Sequence, residues 1–298
     1  MLYNNLSTYL KDKYGARVKK ICIDGGFTCP NRDGRCGVGV CIFCGERGAG
    51  EHIDPTLSIK EQVKSRLDRA GEGEKFIAYF QNFTNTYASV ETLRERYDAA
   101  LCDGRIVCLA IGTRPDCISE EIAELIASYT DRVDVWVELG LQTASDNTAK
   151  LINRGYETEV FKAANGILSR YGIPVVAHVM LGLPGEGREE ALGTVSVLNG
   201  SSVWGVKLHS VYVMEGTRLA QMYREGEYKP ISFGEYVELA VECIARLRPS
   251  FVLHRLTGDC PEGLLVAPEW NSEKNKVLDA IRAEMEKKGL FQGALYSE

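Results

Sequence analysis

Short runs of β-branched and apolar residues alternate along this chain with segments whose apolar positions recur three and four residues apart. The runs VKKICID (18–24), KFIAYF (75–80), RIVCLAIG (105–112), RVDVWVELG (132–140), IPVVAHVML (173–181) and GVKLHSVYV (205–213) predict strands. Helical spacing predicts helices over 58–70, 89–102, 118–129, 145–153, 157–171 and 188–200, with Gly155, Gly172 and Gly200 as stop signals. Six strand-then-helix units rich in Val and Ile imply an α/β protein with a parallel sheet. The periodicity does not separate a barrel from an open doubly wound sheet.

After about residue 216 the rhythm changes to a long helix (232–248), an apolar strand SFVLHRL (250–256) and a charged helix (272–288). We read 1–216 as the core and 217–298 as a C-terminal α/β extension packed on it. No Pro- or Ser-rich linker, low-complexity tract or internal repeat marks a second independently folding domain.

Composition narrows the class. A chain of 298 residues, 45% hydrophobic and 26% charged, can bury a large core, so disorder is excluded. The first residues, MLYNNLSTYLKDKYGARVKK, carry charges where a signal peptide needs an apolar run, and no stretch approaches a membrane span. A cytoplasmic, reducing location is therefore expected, in which ten cysteines serve as metal ligands, redox groups or small core residues rather than disulfides. The net charge of −6 argues against a generally basic nucleic-acid binder. One local exception is the segment 11–20, where Lys11, Lys13, Arg17, Lys19 and Lys20 face only Asp12. It is either a phosphate-binding patch or a solvated face.

The stretch CPNRDGRCGVGVCIFC (29–44) carries four of the cysteines directly after the first predicted strand, where parallel α/β folds place their active sites. Cys41 and Cys44 can turn tightly around one metal centre. Cys29 or Cys36 must join them, and Gly34, Gly37 and Gly39 let the loop wrap. Four thiolates suit zinc or a fully ligated iron–sulfur cluster, whereas three leave one iron of a four-iron cluster open. The remaining cysteines, Cys22, Cys102, Cys108, Cys117, Cys243 and Cys260, are expected to be mostly small core residues.

A three-cysteine motif ending in C-x-aromatic-C after the first of six βα units resembles the radical S-adenosylmethionine (SAM) superfamily. ICIDGGFTCPNRDG, CIFC, YFQNFTNTY, ELGLQT, MLGLPGE and LHRLTGD together resemble its small bacterial branch related to the Elongator catalytic subunit. The resemblance implies a partial (β/α)6 TIM-type barrel. It implies a 4Fe-4S cluster on Cys29, Cys41 and Cys44, a wide-gap variant of the usual spacing, with Cys36 extra. For SAM it implies contacts from Phe43, Gln81, Asn82, Thr113, Glu138, Gln142, Arg154 and His178, with the MLGLPGE turn lining the adenine pocket. That turn lacks the Gly-Lys-Ser/Thr of a phosphate-hydrolysing loop.

Several of these residues also have plain structural readings. Glu138 can pair with Lys207, Arg154 can complement the C-terminal end of a helix, and His178 can be a satisfied core histidine. On the last predicted barrel strand, period-two alternation puts Lys207 and His209 on one face and Tyr212 on the other. Facing inward, Lys207 and His209 would be catalytic, together with Arg255 from LHRLTGD. That motif, with Arg246, Arg248, His254 and Asp259, is read as substrate recognition or as ion pairing.

By analogy with the Elongator branch, the expected substrate is tRNA, converted from carboxymethylaminomethyluridine to aminomethyluridine at the wobble position. The expected electron donor is a flavodoxin or ferredoxin. A radical enzyme acting on a small metabolite or peptide, and a metal-stabilised RNA-binding protein without catalysis, are the alternatives.

Overall fold

The computed structural model describes residues 2–36, 39–48, 50 and 53–297, so Gly37 of the cysteine loop lies outside the described residues. The strands are β1 (Val18–Ile23), β2 (Lys75–Phe80), β3 (Ile106–Thr113), β4 (Asp134–Gln142), β5 (Val175–Leu181), β6 (Gly205–Ser210), β7 (Val213–Met214), β8 (Val252–Arg255) and β9 (Leu265–Ala267). The helices are α1 (Leu6–Tyr14), α2 (Ile59–Leu67), α3 (Val90–Ala100), α4 (Glu120–Ala127), α5 (Asp146–Leu151), α6 (Thr158–Arg170), α7 (Arg188–Asn199), α8 (Arg218–Arg224), α9 (Phe233–Arg246) and α10 (Lys274–Lys288).

Seven strands form one parallel sheet in the order β1-β2-β3-β4-β5-β6-β8. A doubly wound sheet reverses its strand order at a switch point. Here neighbours follow chain order throughout, so the sheet curls in one direction as a partial barrel. Among the described residues β1 and β8 do not pair with each other. The segment 250–256 supplies the seventh strand of this sheet, parallel to β6, and α9 and α10 follow the outer layer.

Helix starts are written in the sequence as side-chain caps. Ser58 with Glu61, and Ser232 with Glu235, close capping boxes on α2 and α9, and Ser89, Ser119 and Ser145 cap α3, α4 and α5. Strands buried on both faces explain the near-continuous apolar runs. One face packs against the helices through Ile111, Val137, Leu139, Ala177 and Leu208. The other lines the barrel interior with Ile77, Tyr79, Cys108, Ala110, Trp136, Val176 and Val252.

Helix α1 closes the end of the barrel at which the strands begin. Leu6 and Leu10 pack into the interior cluster, Asn5 bridges to Leu253 beside the β8 edge, and the Tyr14 hydroxyl donates to Asp134 at the start of β4. Within 11–20, three of the four lysines are engaged by carboxylates of the chain. Lys13 pairs with Asp134 (2.6 Å), Lys19 with Glu74 (2.5 Å), and Lys20 points inward toward Glu138 (3.8 Å). The expectation of mostly core cysteines fails: of the six outside the loop only Cys108 and Cys243 are buried, and Cys102 is exposed.

Candidate active site

The long connection from β1 to α2 returns over the C-terminal ends of the strands. Its CIFC turn is held at one residue. The Ile42 amide donates to the carbonyl of Ile152 (3.2 Å), its carbonyl accepts from the Leu219 amide (2.8 Å), and its side chain packs with Ile152, Leu183, Val211, Val213 and Leu219. The Cys44 amide donates to the Cys41 carbonyl (3.0 Å), which turns both thiols to the same side.

Cys29, Cys41 and Cys44 line a cavity of about 260 Å³ at the top of the barrel, together with Phe43, Gln81, Thr113, Glu138, Gln142, Arg154 and His178. Strand ends supply Gln81, Thr113 and Gln142 from β2, β3 and β4, while Glu138 and His178 reach it from inside β4 and β5. Cys36 is outside this lining, with its thiol 3.4 Å from Asp116 Oδ2. Asn82 is also outside it, buried behind Gly50 with Nδ2 donating to Asp24 Oδ2 (2.8 Å).

The thiol pair is electrically biased. Cys41 is pulled down to about 7 by the hydrogen bond from Cys44, with the Arg114 guanidinium and the Asn31 amide assisting, and Cys44 is pushed up as the donor. Cys41 therefore ionises first. Local backbone strain gathers here too. Phe83 (φ 58°) and Gln142 (φ 59°) are non-glycine residues in the left-handed region and both line the cavity; Asn153 (φ 55°) donates from Nδ2 to the carbonyls of Gly39 and Val40.

Beneath the thiols lies a polar group centred on Glu138, which is 1% exposed. Its carboxylate accepts from Tyr79 Oη (2.7 Å), His178 Nε2 (2.7 Å), Trp136 Nε1 (3.1 Å) and Lys207 Nζ. Burial alone would raise its pKa, but Lys207, Lys20 and His178 more than offset this and hold the carboxyl well below its ordinary range. Burial pushes Lys207 down to about 7 against the pull of Glu138, and burial with Lys207 nearby pushes His178 down to about 4. His178 thus stands in the site as a neutral imidazole.

Lys207, His209 and Arg255 stand behind this lining rather than in it. Lys207 faces inward, so the ion pair with Glu138 accounts for both residues. His209 packs its ring 5.3 Å from that of His178, and its buried Nε2 has no hydrogen-bond partner among the described residues. Arg255, the register partner of Lys207, pairs with Asp259 (3.2 Å). Arg154 is 1% exposed and donates to the carbonyls of Leu141 (2.5 Å), Thr143 (2.6 Å) and Tyr156 (2.9 Å), so it pins the end of β4.

Two sequence readings are corrected here. Tyr212 lines the cavity, because β6 ends at Ser210 and the strand alternation does not extend to it. The MLGLPGE turn borders a separate groove of about 720 Å³ beside α9, and among its residues none lines the thiol cavity. Of the two readings open for Arg246 and Arg248, the structural one is observed: the first pairs with Glu242 (3.1 Å) and the second donates to the Ser201 carbonyl (3.0 Å). Asn31, Tyr79, Arg114 and Tyr156 line the cavity without having been singled out. Asn31 within CPNRDG and Arg114 directly after Thr113 were the available signals.

The match to the radical SAM superfamily model covers residues 28–198, and a match to the radical SAM C-terminal domain covers 203–287. The chain belongs to the radical SAM superfamily, whose enzymes use a 4Fe-4S cluster and SAM. It is 37% identical over 298 residues to YtqA of Bacillus subtilis, covering 99% of this chain and 92% of that one. It is 33% identical over 186 residues to a tRNA uridine(34) acetyltransferase of Dehalococcoides mccartyi, covering 61% of this chain and 39% of the relative. Among solved structures the archaeal Elp3 of Methanocaldococcus infernus superposes with a TM-score of 0.70 at 22% identity, covering 93% of this chain, which spans 64% of that structure's length. The reading as a binding protein without catalysis is thereby overturned.

The residues present fit the family's cofactors. Three thiols from one loop face one cavity, and buried Asn31 Oδ1 and Thr84 Oγ1 at its wall have no partner among the described residues.

Proposed function

We propose that this enzyme modifies tRNA, converting carboxymethylaminomethyluridine to aminomethyluridine at the wobble position. The relationship to a tRNA uridine(34) acetyltransferase supports the substrate class. The observation that carries the reading is the charge imbalance beneath the cavity: Lys207 and Lys20 both face the one buried carboxylate of Glu138, to which His178 also donates. A substrate carrying a carboxylate would restore the balance.

Cys29, Cys41 and Cys44 would hold the cluster, which would bind SAM and supply the electron that cleaves it. Phe43, Gln81, Thr113, Gln142 and His178 at the wall, with Asn82, Glu138 and Arg154 behind or beside them, would orient SAM and exclude water. When bound, the pair supplies a hydrogen-abstracting radical and takes back one electron. Hydrogen is lost from the carbon between the substrate's amine and carboxylate; loss of one electron and the amine proton then gives an imine. Water adds to the imine carbon, and cleavage of that carbon–nitrogen bond releases aminomethyluridine and glyoxylate. Lys207 and Arg255, from behind the lining, would favour the substrate carboxylate by their charge, and the amine proton would leave to water. A flavodoxin or ferredoxin would supply electrons.

Reconstituted protein incubated with reductant, SAM and tRNA bearing the carboxymethylaminomethyl group tests this. Aminomethyluridine and glyoxylate formed in equal amounts support it; an unchanged nucleoside profile sinks it. A radical reaction on a small metabolite or peptide is the second reading, favoured by the engagement of Lys13, Lys19 and Lys20 in internal ion pairs.

A further inference from the structure

We propose that Asn31 is a positioning residue of the cluster, whose side-chain amide donates a hydrogen bond to the Cys41 sulfur and raises the potential at which the cluster accepts its electron. Asn31 is 2% exposed, and its Nδ2 lies 3.4 Å from Cys41 Sγ. The same nitrogen is 2.8 Å from the Asn153 carbonyl and 3.4 Å from the Arg154 carbonyl. These two carbonyls fix the orientation of the amide, since a flipped Asn31 would set its own oxygen against both. The donor edge must therefore face the sulfur.

The surroundings are shaped around this arrangement. Gly155 sits at φ +84°, and a Cβ there would lie 2.7 Å from Asn31 Oδ1. That oxygen is buried without a partner among the described residues, so the amide is not placed there to satisfy its own oxygen.

Reduction adds negative charge to the cluster and spreads it over the ligating sulfurs. A fixed N–H donor stabilises the reduced state more than the oxidised one and moves the potential upward. The consequence is a cluster that a biological electron donor can reduce before SAM is cleaved. This inference rests on the cluster alone and is independent of the substrate.

The test uses the full chain, reconstituted anaerobically without SAM, with its midpoint followed by electron paramagnetic resonance during reductive titration. In Asn31→Leu, with iron and sulfide content unchanged, the ratio of reduced to oxidised cluster at a fixed potential should fall about tenfold, equivalent to about 59 mV for a one-electron couple. Should that variant fail to load the cluster, the intact protein labelled with 15N-asparagine decides. Its reduced cluster should show a nitrogen hyperfine coupling from the donated hydrogen bond. An unchanged midpoint in a fully loaded Asn31→Leu, or no such coupling in the intact protein, overturns the assignment.

Discussion

Glu138 of β4 and Lys207 of β6 form an ion pair across the intervening strand β5, and His178 of β5 donates to the same carboxylate oxygen from the position beside Lys207. Three consecutive strands thus converge on one charge directly below the thiol cavity. Removing one partner of a buried pair usually costs about 3–5 kcal/mol because the other charge is stranded. Here Tyr79, Trp136 and Lys20 remain around Glu138. Lys207→Met should therefore cost less, about 2–3 kcal/mol in urea unfolding, and Glu138→Gln combined with Lys207→Met should cost less than the two single losses added together. Additive losses would show that the pair is not coupled.

The histidine in this group gives the fold a pH dependence of fixed sign. His178 has a folded pKa of about 4, below its ordinary 6.5. Between those values the unfolded chain binds a proton that the folded chain does not, so stability is lost as pH falls through that window. The slope contributed is at most about 1.4 kcal/mol per pH unit. Urea midpoints measured from pH 6.5 down to 4.5 should fall more steeply in the intact protein than in His178→Gln.

The CIFC turn depends on Ile42 as much as on its thiols. Ile42 is 7% exposed and joins the core beneath the loop, so Ile42→Ala should cost about 2–4 kcal/mol and leave Cys41 and Cys44 less well placed. Iron bound per chain after reconstitution should drop in this variant while far-ultraviolet circular dichroism stays the same. Full iron loading would show that the turn holds itself.

Much of this was legible in the sequence. The six predicted strands of the barrel each overlap an observed strand, because strands buried on both faces announce themselves as continuous apolar runs. That the thiols of 29–44 are not inert was legible because a glycine-rich loop after a strand is a poor place for such thiols, whereas the choice of Cys29 over Cys36 came only from the family resemblance. Helix α1 was hidden by its lysines: only Leu6 and Leu10 are buried in it, and the rest of its surface reads as a charge run. The position of Tyr212 was missed because strand alternation fails where β6 stops. Asn31 stood inside the motif CPNRDG, but the motif did not show its role, since a buried amide in a loop is defined by the carbonyls and sulfur brought to it by distant segments.

The most direct measurement is anaerobic reconstitution of the intact protein, Cys29→Ala and Cys36→Ala, with iron and sulfide counted and 5′-deoxyadenosine formed from SAM assayed under dithionite. Deoxyadenosine is expected from the intact protein and from Cys36→Ala, and none from Cys29→Ala. Zinc in place of iron with no cleavage of SAM, or activity that survives in Cys29→Ala and is lost in Cys36→Ala, would contradict this expectation.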